Sequence, residues 1–114
     1  MNTAKLQDMI GGWFVGAFAP TALTTNACEV AVKTYAAGAR EQAHYHAVAT
    51  EVTLVLSGSV RMCNKEWGEG GIVVLSPNEV TDFEALSDAV CVVVKVPGVL
   101  NDKYLVPKKM DDQQ

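Results

Sequence analysis

Turn-forming residues punctuate this sequence roughly every ten positions. They fall at Gly38, Gly58, Asn64, the cluster Gly68, Gly70 and Gly71, then Pro77-Asn78, Ser87-Asp88 and Pro97-Gly98. Segments cut that short suit β-strands and are too brief for most helices. Their contents agree. Residues 28 to 35 alternate, with Glu29 and Lys33 on one face and Val30 and Val32 on the other, the pattern of a half-buried strand. Residues 52 to 57 are largely apolar on both faces, and residues 59 to 63, 72 to 75 and 82 to 86 form further short runs. Residues 89 to 96 read as a long central strand. The spacing predicts seven to nine strands, with one short helix from Lys5 to Ile10. At 114 residues this is one all-β domain: a sandwich, a jelly roll or a small antiparallel barrel.

Composition narrows the function classes. Hydrophobic residues make up 49%, enough for one core, and the net charge of −4 argues against a nucleic-acid partner. The one basic pair, Lys108-Lys109, sits in a polar tail. Three widely spaced cysteines, with no CxxC, argue against a disulfide framework and a zinc knuckle and point to a reducing, cytoplasmic compartment. Cys91, inside an apolar run, reads as a small core residue. Residues 9 to 23 are apolar but are broken by Gly and Pro, are too short to span a bilayer and follow no basic stretch. They are expected to pack on the barrel or on a second subunit, with Trp13 and Phe14 as a dimer contact or a barrel cap.

The chemistry concentrates between Gly38 and Gly58. His44 and His46 are two apart, so on a strand both imidazoles point to one face. Glu51 follows after a gap that allows a tight reversal and brings a carboxylate to the same point. Two imidazoles and a carboxylate are a recurrent donor set for non-haem iron, manganese and zinc. The competing reading is a surface accident, or a histidine satisfied within the core.

The frame around these residues is more specific. Gly38-x5-His44-x-His46-x4-Glu51-x6-Gly58 resembles the first signature motif of the cupin family at every fixed position. Gly71 and Pro77 resemble the start of the second. There Glu79 stands where the family has a turn glycine, and Asp82 stands where it has a third metal-binding histidine. The resemblance implies a cupin-type antiparallel β-barrel or jelly roll over residues 28 to 98, an apolar segment over 1 to 27 that packs on the barrel or a dimer partner, and a tail over 99 to 114. It also implies one divalent transition metal (manganese, iron or zinc, with nickel admissible) and a homodimer.

Asp82 is expected to be the fourth ligand, beside His44, His46 and Glu51. Its alternatives are a hydrogen bond to a bound water or a ligand imidazole, and plain solvation. Glu84 shares strand parity with Asp82 and is the candidate general base, the alternative being a surface charge. Tyr35 would line the barrel mouth or an interface. Val60 and Met62 would line the barrel, with Arg61 and Cys63 pointing away, and Tyr45 must face opposite to the two histidines. No Lys or Arg can be placed on the pocket wall from sequence, which disfavours strongly anionic substrates. The function implied is a metal-binding cupin acting on a small polar molecule as an isomerase, epimerase, lyase or dioxygenase. The alternative is a non-catalytic module that binds a sugar or organic acid, or senses it.

Overall fold

A computed structural model describes residues 1–107. The short segments form ten strands among these residues: β1 (Trp13–Val15), β2 (Glu29–Tyr35), β3 (Arg40–His46), β4 (Thr50–Ser57), β5 (Val60–Met62), β6 (Lys65–Trp67), β7 (Ile72–Leu75), β8 (Thr81–Ala85), β9 (Ala89–Val96) and β10 (Lys103–Leu105). They make two five-stranded sheets, ordered β1-β2-β9-β4-β7 and β10-β3-β8-β5-β6, and every strand pairing is antiparallel. The expected all-β, single-barrel architecture is what the chain adopts.

Alternation builds the core. Inward residues of β4, β5, β7, β8 and β9 form one buried cluster that spans both sheets, including Val55, Val60, Val73, Phe83 and Cys91. Met62 joins it, while Arg61 and Cys63 are exposed. Burying such apolar surface supplies the main drive to fold. The motif glycines serve the turns. Gly58 has φ +80°, and a Cβ there would collide with the Asp88 carbonyl oxygen, so only glycine fits.

The ends depart from the sequence reading. The expected helix from Lys5 to Ile10 is a single 3-10 turn at Leu6–Asp8. The apolar amino-terminal segment contributes β1, which pairs with β2. Beyond residue 98 the chain adds β10, which pairs with β3 through Lys103↔His46, Tyr104↔Tyr45 and Leu105↔His44. One edge strand of each sheet, β1 and β10, therefore comes from outside residues 28 to 98, because exposed edges of β2 and β3 offer free N–H and C=O groups that these segments satisfy. The Lys108-Lys109 pair and the rest of the tail lie outside the described residues. Among the described residues, no helix is long and apolar enough to cross a membrane.

Candidate metal centre

The end of β3 carries the two imidazoles. Between Glu41 and His44 the register with β8 slips by one residue. Such a bulge re-aims side chains, and here Glu41, His44 and His46 all line one chamber. Glu51 enters from β4, directly beside Lys95 of β9 and Leu75 of β7. The ligand atoms of His44, His46 and Glu51 lie within 4.8 Å of one another, and all three residues are buried.

Hydrogen bonds set the tautomers. His44 Nδ1 faces the Gln42 carbonyl at 2.9 Å, and His46 Nδ1 faces the Asp102 carbonyl at 3.0 Å. A carbonyl only accepts, so each Nδ1 carries the proton and each Nε2 presents a lone pair. His46 Nε2 is buried without a hydrogen-bond partner, 3.4 Å from Glu51 Oε1. Burial pushes the Glu51 carboxyl up, but the hydrogen bond and charge that the His46 ring supplies when Nε2 also carries a proton, ahead of Lys95 and His44, more than offset it and hold the group below its ordinary value. An orphaned imidazole nitrogen beside an ionised carboxylate is what a metal donor set looks like, and the residues fit a divalent cation.

Asp82 does not join them. In β8 the odd positions Thr81, Phe83 and Ala85 are buried, so Asp82 and Glu84 point to the outer face. Thr81, not Asp82, sits opposite His44. The expected fourth ligand is thus an exposed carboxylate. Glu84 is corrected in the same way. It pairs with Arg40 at 3.1 Å and Arg61 at 3.7 Å on the outer surface and does not reach the chamber. The two residues do share parity, but it is the outward one. The missing turn glycine is also explained: Asn78, one residue earlier, takes the left-handed conformation, with φ +72°.

No protein-family model matches the chain, and no curated protein does. Solved structures do. A conserved protein with a double-stranded beta-helix domain from Klebsiella pneumoniae has a TM-score of 0.66 at 23% identity over 74% of each chain. The DMSP lyase DddQ from Ruegeria pomeroyi has a TM-score of 0.66 at 17% identity, over 82% of this chain and 49% of that one. Oxalate decarboxylase from Bacillus subtilis has a TM-score of 0.61 at 18% identity, over 71% of this chain and 24% of that one. The chain has the cupin fold.

Several residues of this cupin barrel were not legible as site residues. Glu41 faces the chamber only because of the bulge, which carries no sequence signal. Lys33, Lys95 and Lys103 line the same chamber, basic groups that could not be placed on its wall from sequence. Trp13 closes it: Lys33 Nζ lies 5.3 Å and Lys95 Nζ 4.8 Å from its ring centroid. Tyr35 lines the chamber, its ring 4.4 Å from that of Phe83, and burial followed by the nearby Glu41 pushes its phenol well above the ordinary value. Tyr45 faces away and stacks on Tyr104. A chamber of about 50 Å³ surrounds the cluster, and an adjoining cleft of about 410 Å³ shares Trp13, Lys95 and Lys103 with it.

Proposed function

We propose that this protein is a metal-dependent cupin enzyme acting on a small molecule that bears a carboxylate. The observation that carries the reading is the buried meeting of His44, His46 and Glu51, with the His46 Nε2 lone pair unsatisfied. These three side chains hold one divalent ion. With Asp82 outside the donor set, two imidazoles and one carboxylate suit zinc as well as manganese or iron(II), with nickel admissible. Bound there, such an ion polarises a carbonyl or carboxylate oxygen and lowers the pKa of bound water.

The chain's own residues do the rest. Lys95 and Lys103 line both the chamber and the cleft and Lys33 lines the chamber, which puts positive charge where an anionic substrate would be held. Trp13 supplies an apolar wall and limits water. The cleft is of a size for a small metabolite. Glu41, not Glu84, is the carboxylate facing the chamber and takes the acid–base role. The Mn(II) centres of Bacillus subtilis oxalate decarboxylase and the lyase activity named for DddQ accord with metal and carboxylate chemistry in this fold.

The test is calorimetric titration of metal-loaded protein with a panel of small mono- and dicarboxylates, with turnover followed by NMR. Binding of at least one acid is expected, weakened about tenfold or more by Lys95→Met, with metal content unchanged. Failure of every acid to bind would contradict the substrate class. Binding with no turnover would assign the chain to the small-molecule-binding role instead.

A further inference from the structure

The inward residues of the first sheet form a charged row at one end. Glu29 of β2 stands across from Lys95 of β9, and Lys95 stands across from Glu51 of β4. The row passes from one space into the next. Glu51 lines the metal chamber, Lys95 lines both chamber and cleft, and Glu29 lines the cleft alone. Neighbouring strands lie about 5 Å apart, which sets Glu29 about 10 Å from Glu51 across the sheet.

Glu29 takes no part in the metal cluster. It is only 6% exposed, yet among the described residues its carboxylate makes no hydrogen bond and no ion pair. Lys95, its neighbour in the row, directs its ammonium to the Trp13 ring instead. A carboxylate buried this far is ordinarily paired or hydrogen-bonded. Around it, Phe18, Pro20, Val99 and Leu100 give the cleft apolar walls. The loop that carries Val99 and Leu100 is held at both ends. The Gly98 N–H donates to the Asn26 carbonyl at 3.0 Å, and the Asp102 carboxylate accepts from the backbone of Ala47, Val48 and Ala49. The cleft is therefore formed before a ligand arrives, as small-molecule sites usually are.

We propose that this cleft is a specificity pocket for the unreacting arm of the substrate, and that Glu29 selects an arm ending in a hydrogen-bond donor, a hydroxyl or an ammonium. The proposal rests on the carboxylate reading above and narrows it to acids with an extended apolar chain and a distal donor. The carboxylate end stays with the metal and the lysines, the chain lies along Phe18, Val99 and Leu100, and the donor meets Glu29. A chain of about six carbons, at about 1.5 Å per bond, covers the span. A hydrogen bond to an ionised carboxylate is stronger than one between neutral groups. An arm without a donor strips Glu29 of water and leaves it unpaired, so the pocket discriminates against plain alkyl acids.

Calorimetric titration of manganese(II)-loaded protein with acetate, hexanoate, ω-hydroxyhexanoate and ω-aminohexanoate tests this. Hexanoate is expected to bind at least about tenfold tighter than acetate, because its chain is buried in the cleft. At least one of the two substituted acids is expected to bind at least about tenfold tighter than hexanoate. The hydroxy acid leading assigns the donor as a hydroxyl, and the amino acid leading assigns it as an ammonium. Glu29→Leu should bring the leading acid back to within about twofold of hexanoate, with metal content unchanged. Should Glu29→Leu lose its fold, Glu29→Gln decides, its preference falling at least about threefold. Hexanoate no tighter than acetate, substituted acids no tighter than hexanoate, or a preference that survives in the folded Glu29 variant would each overturn the proposal and leave the carboxylate reading standing. Binding of none of the four acids would overturn the carboxylate reading and the proposal with it.

Discussion

His46 donates its Nδ1 proton to the main-chain carbonyl of Asp102, 3.0 Å away, while the carboxylate of the same Asp102 accepts from the backbone N–H groups of Ala47, Val48 and Ala49 at 2.9 to 3.2 Å. One buried residue from beyond the last long strand thus fixes both the ring of a candidate ligand and the reversal that delivers Glu51 beside it. Changing groups that orient ligands in this way typically costs about 10- to 100-fold in metal affinity.

Replacing Asp102 with Ala leaves those three N–H groups without their acceptor. The expected loss is about 2–4 kcal/mol in the metal-free protein, since each unpaired buried donor costs about 1–3 kcal/mol and some recover water. Metal affinity should fall about 10- to 100-fold. Urea unfolding and a competition titration with a chromophoric chelator read the two effects. An unchanged midpoint would show that the clamp contributes nothing.

The same carboxylate makes stability depend on acidity. Burial pushes Asp102 up, but the hydrogen bonds from Ala49, Val48 and Ala47 outweigh it and hold the group below its ordinary value. A carboxyl depressed on folding contributes stability that is fully present above its unfolded value, about 3.9, and is lost as pH falls through the lower folded value. Glu51 is depressed too and contributes in the same acid window. Asp102→Asn should therefore flatten part of the acid limb of a stability–pH curve measured with chelator present, and leave the rest to Glu51.

What was legible in the sequence, and what was not, follows from how each feature is encoded. The His44, His46 and Glu51 set was readable because strand parity and a short reversal are local. The strands were readable because alternation and turn residues are local too. Asp82 was misplaced for a physical reason: the direction of β8 depends on which parity faces the core, and Thr81 and Phe83 settle that through packing against the other sheet. Glu41 needed a bulge, and Asp102 needed a long-range pairing of β10 with β3. Neither leaves a mark on neighbouring residues. Lys95 closes an apolar strand, and only its pairing across the sheet with Glu51 places it at the site.

Asp82 and Glu84 give a sharp contrast. Asp82→Asn should leave metal affinity within about twofold, the usual scale for an exposed side chain away from special features. Glu84→Gln should cost no more than about 1 kcal/mol from its partly exposed ion pairs with Arg40 and Arg61. A large drop in metal affinity for Asp82→Asn, measured by the same chelator competition, would put that carboxylate back among the ligands.

Glu41 is the residue on which the proposed proton transfer rests. On whichever carboxylate the protein turns over, Glu41→Gln should lower kcat about 100-fold or more. Metal content and substrate affinity should stay close to wild type. Glu84→Gln, on the outer face, should leave kcat unchanged. Equal kcat values for Glu41→Gln and wild type would remove Glu41 from the chemistry.

The central claim is that His44, His46 and Glu51 hold a divalent metal in the barrel. Elemental analysis of protein purified without chelator measures it most directly, comparing the wild type with a His44→Ala, His46→Ala double variant whose circular dichroism is native. The wild type should carry close to one divalent transition metal per chain and the double variant almost none. Equal metal content in the two proteins would contradict the account.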